Sequence, residues 1–167
     1  MKLSKQQTVD LITITRLIGI PFLFLINNKY ILFIYAGLLF LTDYIDGQLA
    51  RKWGVTSQRG ALLDLIADKT LVLVLFLSAA LNGQIPMWVF YLIAFREITS
   101  MILRQIKLKT KNKLIKANII GKLKTTLQFI ALAMMILSLP FYLEVVYVML
   151  VVSYISYIMY VYEFFKS

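Results

Sequence analysis

Asp43 and Asp46, then Asp64 and Asp68, are the residues best suited to chemistry: four carboxylates in otherwise apolar sequence, LTDYIDGQLARKWGVTSQRGALLDLIADK from Leu41 to Lys69. They make up half of the eight acidic residues, and an ionised group at the centre of a spanning helix costs roughly 2.5–3.5 kcal/mol. Such a cluster calls for a compensating cation, and hard oxygen donors suit Mg2+, Mn2+ or Ca2+. The rest of the chemical repertoire is narrow. With no cysteine and no histidine, thiolate ligands, a cysteine nucleophile and imidazole as base or ligand are excluded, and zinc is disfavoured. Carboxylates, lysines, arginines and hydroxyls must carry any reaction.

The elements that position these groups are membrane helices. At 167 residues, 60% hydrophobic and 16% charged, with a mean hydropathy of +0.80, the chain is no ordinary soluble domain. Apolar runs near residues 11–26, 30–42, 70–81, 85–103, 119–139 and 141–162 predict an all-α integral membrane protein of six transmembrane helices. Two runs are shorter than the ~20 residues a span needs, unless the aspartate-bearing segments beside them continue the same helices. The expectation is a single membrane-embedded domain over 1–167, with residues 1–9 as a short interfacial helix or amino-terminal arm. Arg16 and the following Asn27, Asn28 and Lys29 argue for a retained first helix, not a cleaved signal. Pro21 predicts a kink in that helix, and Pro86 and Pro140 mark turns before the fourth and sixth. The tyrosines of the last helix read as an interfacial belt.

The net charge of +10 sorts by loop. Lys2 and Lys5, then Arg51, Lys52 and Arg59, then Lys107, Lys109, Lys111, Lys113 and Lys116, and finally Lys166 fall on one side, against Lys29 alone on the other. The positive-inside rule therefore puts both termini and the basic loops in the cytoplasm, and nucleic acid is not the expected partner. With helices two and three meeting that face near Lys52 and Gly60, a ~1.5 Å rise per residue puts Asp43 and Asp68 about 12–13 Å deep and Asp46 and Asp64 about 6–9 Å deep. Spacings of three and four residues keep each pair on one helical face. Arg16 and Arg96 fall about 12 and 15 Å deep, and Lys122 and Lys124 begin the fifth helix. Cations and carboxylates thus converge at one depth, as a metal beside a phosphorylated substrate would require. Gly47 and Gly60 would let a bulky headgroup approach the backbone, with close helix packing as the alternative.

As a pattern the string is D-x-x-D-G-x-x-A-R-x8-G-x-x-x-D-x-x-x-D, filled by Asp43, Asp46, Gly47, Ala50, Arg51, Gly60, Asp64 and Asp68. It resembles the signature of the CDP-alcohol phosphatidyltransferase family, and the six-helix layout resembles that family's bundle. The resemblance implies a transferase of phospholipid biosynthesis that moves a phosphatidyl group from CDP-diacylglycerol to an alcohol and releases CMP. It implies Mg2+ or Mn2+, as one ion or two, on Asp43, Asp46 and Asp64, with Asp68 completing the site and serving as base. It implies a CDP-lipid pocket at Gly47, Ala50, Arg51 and Gly60, and a homodimer in the cell membrane.

The segments FREITSMILRQ and GKLKTTLQ look like those of family members whose acceptor is glycerol 3-phosphate, which makes Arg96, Arg104, Lys122 and Lys124 candidates for gripping its phosphate. Arg96 with Glu97 as a structural ion pair, and snorkelling for Lys122 and Lys124, are the alternatives. The family's amino-terminal pattern N-x-x-T-x-x-R stands here as Asp10, Thr13 and Arg16, so Thr13 and Arg16 join the candidates. Two other readings stay open: the same fold with phosphatidylglycerol or inositol phosphate as acceptor, and a divalent-cation transporter, since intramembrane carboxylates also mark ion paths.

Overall fold

The computed structural model describes residues 5–54, 58–111 and 119–166. These form six α-helices: α1 (Lys5–Gly19), α2 (Lys29–Trp53), α3 (Gln58–Leu81), α4 (Met87–Lys111), α5 (Ile119–Ile136) and α6 (Tyr142–Lys166), with a 3-10 segment over Ile20–Leu25. The first expected apolar run is divided between α1 and the 3-10 segment, the other five each fall mainly on one α-helix, and the aspartate segments do continue the second and third helices. Lys5 to Val9, expected as an arm, are the first turns of α1, and α4 carries Lys107, Lys109 and Lys111 before ending. Lys2, Lys113 and Lys116 lie outside the described residues. Two helical stretches, Lys29–Leu49 and Tyr142–Phe164, are long and apolar enough to cross a membrane by composition alone. Charged residues lie on all six helices, and the apolar run that begins in α1 leaves α-helical geometry at Ile20, beside Pro21.

Helix boundaries follow local chemistry. Asn28 caps α2, its Oδ1 accepting from the backbone N–H of Tyr30 at 2.9 Å and of Ile31 at 3.2 Å. Pro21 sits at the start of the 3-10 segment; it has no N–H for the helical bond to residue 17, so the α-helix gives way to a tighter turn instead of only bending. α3 ends on Gly83 at φ 71°, where the N–H groups of Gly83 and Gln84 bond back to the carbonyls of Ala80 and Ala79 at 3.1 and 2.9 Å. The same pair of bonds closes α5 with Ser138 at φ 55°, and Pro140 follows.

The chain divides into two compact units, Met1–Ser78 and Ala79–Ser167. In the first, α1 and the 3-10 segment pack on α2. Thr13, Arg16, Ile20 and Leu23 are buried at spacings of three and four, one stripe of the helix. The facing stripe of α2 buries Ala36, Leu39 and Asp46. Tyr35 donates from its hydroxyl to the carbonyl of Gly19 at 3.0 Å, and a Cβ on Gly19 would come within 3.0 Å of that oxygen. This close approach holds the apolar halves of the two stripes together, which fixes where their polar halves meet.

In the second unit α6 packs against both α5 and α4. The buried stripes run Val89, Ile93, Arg96 and Glu97 on α4, Lys124, Gln128, Ala131, Leu132 and Met135 on α5, and Val146, Met149 and Ser153 on α6. Each begins or ends in polar residues. The tyrosines of α6 are partly stitches, not only a belt: Tyr142 donates to Gln84 O at 3.0 Å, Tyr154 to Leu92 O at 3.1 Å, and Tyr147 stacks on Trp88 at 6.1 Å between ring centroids.

Candidate active site

The polar ends of the α1 and α2 stripes meet α3 in a cluster of charge. Asp43 and Asp46 share a face of α2, Asp64 comes from α3, and one oxygen from each lies within 4.8 Å of the other two. Asp46 is almost wholly buried, whereas the side chains of Asp43 and Asp64 are 30% and 45% exposed. Arg16 enters from α1 with its side chain fully buried. Its Nη1 pairs with Asp43 Oδ1, and its Nη2 reaches Asp64 Oδ1 at 2.8 Å and Asp46 Oδ2 at 3.5 Å. Thr13, one turn earlier, donates from Oγ1 to Asp46 Oδ2 at 3.2 Å.

Among the described residues, three carboxylates gather round one guanidinium and outnumber it. Asp46 Oδ1 is buried with no hydrogen-bond partner among the described residues. Oxygen ligands about 2.1 Å from a hard divalent ion lie about 3.0 Å apart when adjacent and about 4.2 Å when opposite, so the carboxylates need to close by less than about 2 Å. Donor type, the excess of carboxylates and the orphaned oxygen therefore all fit a divalent cation.

Asp68 stands apart from this group. It lies one turn further along α3, pairs with Lys69 at 3.3 Å and is 31% exposed, close enough for its charge to act on Asp43. Gly47 follows the buried Asp46, and a Cβ there would meet nothing within 4 Å; it faces open space, so close helix packing does not account for it. Gly60 opens α3 and is half-buried. Ala50 and Arg51 lie near the end of α2, with their side chains outside what is described.

A second cluster is buried in the other unit. Glu97 Oε1 accepts from Arg96 Nη1 at 2.8 Å and from Lys124 Nζ, and Arg96 Nε donates to the carbonyl of Ser153 at 3.3 Å. Arg96 and Lys124 are thus joined through one carboxylate, while Lys122 and Arg104 are exposed on α5 and α4. Sequence reasoning gave Glu97 only the part of a partner to Arg96; in the fold it is the centre of the cluster. The signal that singled out the aspartates, an acid in an apolar helix, applies equally to it. Gln128, one turn after Lys124 and 3% exposed, went unnoticed because amides stand out less in composition than charges do.

A model of the CDP-alcohol phosphatidyltransferase family matches residues 7–162. The chain belongs to that family. Its similarity to curated phosphatidyltransferases runs through the same region. It is 38% identical over 111 residues to a Mycobacterium tuberculosis protein named probable phosphatidylglycerophosphate synthase, covering 65% of this chain and 52% of that one. The CDP-diacylglycerol–glycerol-3-phosphate 3-phosphatidyltransferase of Bacillus subtilis is 37% identical over 112 residues, 66% of this chain and 56% of the relative. That of Salmonella choleraesuis is 37% identical over 135 residues, 74% and 72%. The matched segment thus spans between about half and three quarters of these relatives. The matched region contains Asp43, Asp46 and Asp64, so the carboxylate cluster lies within the family's own segment.

Proposed function

We propose that this chain transfers the phosphatidyl group of CDP-diacylglycerol to glycerol 3-phosphate, giving phosphatidylglycerophosphate and CMP. The observation that carries the reading is the three-carboxylate cluster, in a family member whose curated relatives bear names for this reaction. Asp43, Asp46 and Asp64 hold Mg2+ or Mn2+, as one ion or two. An ion held there would supply positive charge against the diphosphate and the departing CMP. Gly47, Ala50, Arg51 and Gly60 take the CDP moiety, and the open space at Gly47 supports this assignment.

The hydroxyl oxygen of glycerol 3-phosphate forms a bond to the lipid-linked phosphorus, and the bond from that phosphorus to the bridging oxygen breaks. CMP leaves with the electron pair, and the hydroxyl proton passes to Asp68. Standing outside the three-carboxylate group and partly exposed, Asp68 keeps a carboxylate available for that proton. Arg96 and Lys124, which share Glu97, take the acceptor phosphate together with Arg104 and Lys122.

The family match crosses both compact units, which supports one catalytic domain over 1–167. The loop distribution of lysine and arginine supports a cell-membrane enzyme with both termini and the carboxylates towards the cytoplasm, and family resemblance supports a homodimer. The deciding experiment is CMP release from CDP-diacylglycerol by purified protein, with metal and glycerol 3-phosphate each present or withheld. Release that needs both is expected. Release with phosphatidylglycerol or inositol phosphate, but not with glycerol 3-phosphate, would keep the chemistry and discard the acceptor. Cation flux into proteoliposomes without any turnover would overturn the enzyme reading.

A further inference from the structure

Arg16 is out of place as an ordinary core residue. Its side chain is fully buried, its Nε has no hydrogen-bond partner among the described residues, and its two terminal nitrogens go to carboxylates from two other helices. The guanidinium gives up a bond at Nε and is committed to Asp43, Asp46 and Asp64, the residues whose oxygens would ligate a divalent ion. Without a cation, three carboxylates this close would repel one another. With the guanidinium in place and an ion added, two positive centres would sit a few ångströms apart at low dielectric, where like charges repel strongly.

We propose that Arg16 is the resident counter-cation of this cluster and competes with the divalent ion for Asp43, Asp46 and Asp64, so that α1 sets the metal affinity of the site. In the metal-free protein the guanidinium holds together carboxylates from α2 and α3, with Thr13 steadying Asp46 from the same helix. Metal entry then requires the guanidinium to yield. The apparent dissociation constant rises in inverse proportion to the fraction of time the cluster is free of the guanidinium: occupancy nine times in ten weakens binding about tenfold. The inference rests on the metal reading of the cluster.

The test compares wild-type protein with Arg16→Gln and Arg16→Lys in detergent. Mn2+ affinity is measured by calorimetry or by loss of the free-ion paramagnetic resonance signal, and thermal unfolding is followed in chelator and in Mn2+. Arg16→Gln should bind Mn2+ about tenfold more tightly, unfold at a lower temperature in chelator, and gain more from Mn2+ than wild type does. Arg16→Lys, with its single-point charge, should fall between the two. Equal or weaker Mn2+ binding by folded Arg16→Gln would overturn the competition. If that variant does not fold, 15N-arginine-labelled wild type decides: the Arg16 side-chain resonance should move as Mg2+ binds, and an unmoved resonance at saturating Mg2+ would overturn the proposal. A wild-type protein that binds no divalent ion would remove the metal reading itself, a failure distinct from binding that ignores Arg16.

Discussion

Asp64 and Asp68 are one turn apart on α3, yet their surroundings differ enough to divide the work. Asp64 is drawn into the cluster by Arg16, whereas among the described residues Asp68 pairs with the adjacent Lys69. That contact is with a neighbour in sequence on a half-buried part of the helix, so the cluster's guanidinium does not tie Asp68 down. Asp68→Asn should therefore leave Mn2+ binding within about twofold of wild type while lowering CMP release by a factor of about 100 or more, the usual scale of a general base. Asp46→Asn should lose metal binding and turnover together. Equal loss of metal binding in both variants, measured by the same titration, would make Asp68 a ligand first and deny it the separate role. The carboxylates themselves were legible in sequence because an ionised side chain in an apolar run is costly unless a cation binds it. Arg16 was not legible to the same degree: its reach across two neighbouring helices depends on side-chain geometry that spacing along one helix does not contain.

At the scale of elements, the six helices were readable because apolar runs are bounded by strong stops. Pro86 and Pro140 stand before α4 and α6, and Asn28 stands before α2. Boundaries inside polar sequence were harder to read. The lysines from 107 to 111 have good helix propensity and no breaker among them, so α4 continues through residues that looked like loop. Pro21 marks a break in the sequence, but its extent, six residues of 3-10 geometry over Ile20–Leu25 with Ile20 and Leu23 buried, is not written in a single proline. Asn28 offers a direct check, since its side chain satisfies two of the backbone donors that open α2. Asn28→Ala should destabilise the protein by about 1 kcal/mol, visible as a lower thermal midpoint in detergent. The metal site lies four turns away on the same helix, so Mn2+ affinity should be unchanged. A midpoint equal to wild type would mean that water or lipid headgroups satisfy those donors as well as Asn28 does.

For the whole molecule, orientation is the property on which the proposed chemistry depends, because CDP-diacylglycerol, glycerol 3-phosphate and the divalent ion must meet the carboxylates from one side. The basic residues near Lys52, at the end of α4 and at Lys166 should face the cytoplasm, and the turns at Asn27 and Asn82 should face outward. The sequence contains no cysteine, so one introduced thiol reports its position against no background. Asn27→Cys and Asn82→Cys should react with a membrane-impermeant maleimide in intact cells, while Lys52→Cys and Lys166→Cys should react only after permeabilisation. Asn27 and Lys52 lie at opposite ends of α2, a 25-residue helix about 37 Å long, which exceeds the ~30 Å hydrocarbon core. Labelling of both from the same side would mean that α2 does not span the bilayer. Asp43 and Asp46 would then have to be placed at the membrane surface, where the electrostatic argument for a buried cation loses most of its force.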